Sequence, residues 1–311
     1  MFDSITDLLN DDGFRTGLVI GLIAAAAVGL VAAIARPVRP WAGLAFGVAT
    51  VVAMADRFSD ADRFPVTGGL VSGLVVLAAG GVLTGRWHPL VRMAAAVPGA
   101  VMVARSMELT QVTDPAVPGW VGPTIVVATV VGGALAGECD RALGRHGLPP
   151  VMLAATALGV YVTTPDTEHA RVLVGVALAI ALLGWPRPLA SLGTAGSFVA
   201  VALVSWTAVV DGLGRPGAIV GGTACLGMLV IEPPVRWVLG RPTSRPSPLP
   251  LRGALTVGVL HLGVVAACSR VAGLRTSAPQ ALVISAVAYA LAGALLAVLG
   301  TRSEAGSNHL A

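Results

Sequence analysis

"TGLVIGLIAAAAVGLVAAIA", residues 16–35, runs for twenty residues without a charge. As a helix it would be about 30 Å long, the thickness of a bilayer's hydrocarbon core. Ten further apolar stretches follow, at about 41–57, 67–84, 90–107, 117–136, 150–164, 170–185, 189–210, 216–231, 253–270 and 279–300. The whole chain of 311 residues is 55% hydrophobic and only 12% charged, with mean hydropathy +0.84. Soluble domains carry about 25% charged residues, so this balance marks a membrane protein. The apolar runs are continuous rather than alternating, which disfavours an outer-membrane barrel.

The predicted fold is therefore all-α, a polytopic transmembrane helix bundle of about eleven spans. One anchor helix is followed by five helical hairpins in a single integral membrane domain, residues 1–311. Several runs are short. The clean part of 42–55 would reach only ~21 Å as a helix, so such spans must borrow polar flanks, thin the bilayer or be broken. The first fifteen residues carry Asp3, Asp7, Asp11 and Asp12 before one arginine, the reverse of a secretory leader, and the first helix is expected to stay as an anchor.

All 20 basic residues are arginine. Twelve fall at 36–40, 85–92, 137–149, 186–188, 232–252 and the tail 301–311; eight fall at the opposite ends of the spans. The bias places the first set in the cytoplasm, the N-terminus outside and the C-terminus inside. Twelve of the sixteen acids then lie outside. Trp41, Trp87, Trp120, Trp185 and Trp237 all sit near span ends, as an interfacial belt requires. Pro65, Pro115, Pro165, Pro216 and Pro279 mark the five outer turns. The Pro- and Arg-rich segment 232–252 reads as a cytoplasmic loop.

The polar exceptions are the candidate pathway residues. "ADRFSDADRFP", 55–65, places Asp56 at the lip of a short span and Asp60 three residues from both Arg57 and Arg63. A solvated outer turn is the plainer reading, an ion entrance the functional one. Arg105 and Glu108 are three apart at an outer span end. "YVTTPDTEHAR", 161–171, groups Asp166, Glu168 and His169. These fit a titrating transport site, or simply a helix start with Thr164 as cap, Pro165 at the first position and acids in the first turn. His261 lies mid-span in "TVGVLHLGVV", where it faces either a pathway or one interhelical hydrogen bond. Pairs such as Gly17/Gly21 and Gly43/Gly47 suit close helix packing.

No catalytic set emerges. There is no Walker loop, HExxH or G-x-S-x-G. Cys139, Cys225 and Cys268 are odd in number and widely spaced, so no disulfide framework is expected. No cofactor or metal is expected, and the net charge of +4 reflects loop topology, not nucleic-acid binding. The expected partner is the lipid bilayer, with other membrane subunits or a homo-oligomer left open. The resulting expectation is a bacterial inner-membrane transporter or permease-like protein for a small solute or lipid-linked substrate. Two alternatives stay open: a membrane-embedded enzyme acting on a lipid-linked substrate at the outer face, and an assembly subunit of a membrane complex.

Overall fold

An apolar chain can satisfy its own amides only by local hydrogen bonding, and each of the eleven apolar runs contains helix. A computed structural model describes residues 8–34, 41–57, 64–108, 120–164, 167–185, 188–239, 249–272 and 276–307. The helices are α1 (Asp12–Ile34), α2 (Ala42–Arg57), α3 (Phe64–Thr84), α4 (Pro89–Glu108), α5 (Val121–Val127), α6 (Gly133–Leu143) and α7 (Leu148–Thr163). They continue as α8 (Glu168–Ala181), α9 (Gly193–Asp211), α10 (Pro216–Ala224), α11 (Met228–Val238), α12 (Leu251–Ala267) and α13 (Ala278–Ser307). Among the described residues there is no β-sheet.

Among the described residues, five segments are long and apolar enough to cross a membrane: Asp12–Ile34, Val121–His146, Gly193–Asp211, Leu251–Arg270 and Ala278–Leu299. A sixth arises if α10 and α11, bent by 57° at residues 225–227, form one broken span. Shorter apolar helices accompany them.

α9 is the axis of the bundle. Its residues from Ala195 to Val209 are all buried, and it packs against α2, α3, α4, α6, α7, α8 and α10. α1 lies along α8, where the backbones approach through glycine. A Cβ on Gly21 would meet Ala179 Cβ at 2.8 Å, and one on Gly175 would meet Leu18 N at 2.7 Å. Gly43 of α2 and Gly196 of α9 meet in the same way, with 2.6 Å from a Cβ on either to the other's Cα.

Three expectations change. The segment 137–149 is not an open loop: α6 runs to Leu143, a 3₁₀ turn covers Gly144–His146, and Glu138, Cys139 and Asp140 are buried. Of the expected loop 232–252, residues 232–238 are helical, with Glu232 and Arg236 buried. In both places the charges draw inward because they pair with one another. The expected span 117–136 becomes α5 and α6 joined by a π turn over Ala128–Gly132.

Candidate functional site

The charges the sequence reading assigned to loops form the most distinctive site. α6 carries "GECDR", 137–141. Glu138 is 2% exposed, and its Oε1 accepts from Arg92 Nη2 of α4 and from Arg141 Nη1 at 2.9 Å. The Arg92 side chain is fully buried, and its Nε and Nη1 have no partner among the described residues. Arg141 also donates to the carbonyl of Gly85, in the α3–α4 turn. From α11, Arg236 donates to Glu232 Oε2 at 2.8 Å and to the Glu138 carbonyl at 3.4 Å. Glu138 thus ties these elements together, its carboxylate holding Arg92 and Arg141 and its backbone carbonyl receiving Arg236 of α11.

Asp140, two residues further along α6, does different work. Its two oxygens accept the N–H groups of Leu192 and Gly193, each at 2.9 Å. Those amides open α9 and have no intrahelical partner, so Asp140 is a cap supplied by another helix. It also complements the positive end of the α9 dipole.

Beside this network is a cavity of about 800 Å³, lined by Trp41, Leu44, Val82, Arg141, Arg145 and Thr194, among others. Gly81, Gly85, Gly144 and Gly193 complete part of the wall without side chains. Asp140 and Ser191 also line it.

At the other end of α9, about 28 Å away by helix rise, Asp211 repeats the capping device. Its Oδ2 accepts from the Thr167 hydroxyl at 2.7 Å and the Ala170 N–H at 2.9 Å, at the start of α8. Its Oδ1 lies 2.9 Å from His169 Nδ1. The His169 ring meets Trp206 edge-on with centroids 5.5 Å apart, and Trp206 Nε1 donates to Ser106 Oγ at 3.2 Å. The cap is therefore not Thr164, whose hydroxyl bonds back to the Val160 carbonyl at 3.0 Å and closes α7.

His261 is fully buried and closes the break between α10 and α11. Its Nδ1 accepts the Met228 N–H at 3.2 Å, while Nε2 lies 2.9 Å from the Met152 carbonyl. That pairing fixes the neutral tautomer with hydrogen on Nε2. The Tyr289 hydroxyl donates to the Ala224 carbonyl at 2.7 Å and Thr156 to the Cys225 carbonyl at 3.0 Å. The backbone freed at the bend is thus held by three side chains, and His261 takes the interhelical hydrogen-bonding role.

The remaining outer candidates do not gather in one described cavity. Asp56, Arg105 and Glu168 are exposed on α2, α4 and α8. Glu108 ends α4, and its side chain lies outside the described residues, as do Asp60 and Asp166 altogether. Arg92, Glu138, Arg141, Asp211, Glu232 and Arg236 were not singled out by sequence reasoning. The available signal was spacing: Glu138/Arg141 at three and Glu232/Arg236 at four residues.

Among the described residues no group of three or more metal-ligating side chains lies together. No protein-family model matches the chain, and no curated protein is similar to it.

Proposed function

We propose that the chain is a multi-pass bacterial inner-membrane protein of transporter or permease type, for a small solute or lipid-linked substrate. In this reading about eleven segments cross the membrane, with the N-terminus outside and the C-terminus inside. Short helices such as α2 and α8 cross within the bundle, where polar backbone ends are buried in protein. The observation that carries the reading is the buried network Arg92–Glu138–Arg141, beside a cavity of about 800 Å³. Ionisable side chains inside a membrane bundle are costly and mark solute or proton paths. The broken α10–α11 segment adds a second trait of transporters, a discontinuous helix within the span. Under the arginine bias the cavity opens towards the cytoplasm.

The enzyme alternative needs Asp56, Glu108, Asp166, Glu168 and His169 around one cleft. Asp56 and Glu168 are instead exposed on separate helices, which weakens that alternative.

The test is flux. Purified protein in liposomes is given gradients of phosphate, carboxylate, neutral solutes and a fluorescent short-chain phospholipid. Flux of at least one above protein-free vesicles is expected, reduced in Glu138→Gln. No flux of any probe, with the protein folded and inserted, overturns the transport reading.

A further inference from the structure

We infer that the cavity between α2, α3, the end of α6 and the start of α9 binds an anionic amphiphile. A phosphoryl-type head would sit at Arg145 and Arg141, and an apolar chain would lie along Leu44, Val82 and Trp41. This rests on the membrane placement proposed above, but not on transport.

The polar end supplies the charge. Arg145 is exposed and has no ion pair or hydrogen bond among the described residues. Arg141 gives one Nη to Glu138 and the other to Gly85, yet its side chain remains 31% exposed at the cavity. Asp140 lines the same space, but both its oxygens are engaged by the α9 amides and the Ser191 hydroxyl bonds to it as well. Among the described residues, Arg92, Arg141 and Arg145 stand with Glu138 and Asp140, and Arg236 with Glu232, which leaves one positive charge. Thr194, half-buried on the wall, adds a hydroxyl with no partner among the described residues.

The apolar end supplies the choice of ligand. Val82 is 66% exposed and Trp41 47% exposed, so this wall continues onto the outer surface of the helices. A small free anion would leave that wall unused. A lipid with an anionic head matches both ends, and the volume is that of an ordinary ligand pocket. Arginines at the cytoplasmic surface attract anionic headgroups.

The test uses full-length protein in neutral detergent, titrated separately with dioctanoyl phosphatidylglycerol, dioctanoyl phosphatidylcholine and inorganic phosphate. Phosphatidylglycerol should bind about tenfold or more tightly than phosphatidylcholine. Arg145→Ala should weaken phosphatidylglycerol about fivefold, leave phosphatidylcholine unchanged and keep the wild-type unfolding temperature. Arg145→Lys should retain most of the affinity. Equal binding of the two lipids, or full affinity in Arg145→Ala, overturns the inference. So does inorganic phosphate binding as tightly as phosphatidylglycerol, which would mean a site for a soluble anion. Loss of flux with lipid binding intact would instead sink only the transport reading.

Discussion

Glu138 shows how one residue can hold distant helices. Arg92 reaches it from 46 residues earlier in the chain, while Arg236 reaches its carbonyl from 98 residues later. Removing one member of a buried pair strands the other charge, at a cost of about 3–5 kcal/mol. Glu138→Leu should therefore lower stability by that order in detergent denaturation. Glu138→Leu with Arg92→Met should regain part of the loss, since the buried charge at position 92 is then gone as well. Arg141 would keep its bond to Gly85 and its partial exposure. An unchanged unfolding midpoint in Glu138→Leu would remove the network from any account of stability. These residues were hard to find in the sequence because a charge between apolar runs reads as a loop. Only the fold brings Arg92 to Glu138, and hydropathy along a line has no term for such a partner.

At the scale of elements, helix positions were legible because each apolar run is continuous and the breaks between runs are polar. The bend at residues 225–227 was not, since its sequence, Cys-Leu-Gly, is as apolar as its neighbours. What makes it is Gly227, with φ 49° and ψ −128°, a conformation that costs other residues about 1–3 kcal/mol. A Cβ there would also meet His261 Nδ1 at 2.9 Å. Gly227→Ala is expected to destabilise the protein by about that amount. Gly263→Ala, on α12 with nothing within 4 Å of its Cβ position, should be neutral or slightly stabilising. Similar unfolding temperatures for the two variants would contradict the role given to the bend. The helix-start chemistry of α8 was half legible. The need for a cap at 164–168 was plain, but Asp211, 41 residues beyond Ala170, supplies it.

For the whole molecule, the all-helical class follows directly from composition. The expected number of crossings rests on the apolar runs, and their direction on the arginine bias. The native cysteines are all buried, so single exposed cysteines can report on sidedness. Asp56→Cys should react with an impermeant maleimide in intact cells, and Arg145→Cys only after permeabilisation. The reverse pattern would invert the proposed orientation and put the cavity outside.

α9 also sets an order for biogenesis. Asp140 and the α8 amides leave the ribosome before the α9 groups that pair with them, by 52–53 and 41 residues respectively. At about 5–20 residues per second, that is a wait of roughly 2–10 s. During that interval the Asp140 carboxylate and the start of α8 lack their final partners. Arrival of α9 closes both ends at once. The newly made chain thus has a defined moment of commitment, before which membrane chaperones and proteases meet an unfinished half-bundle.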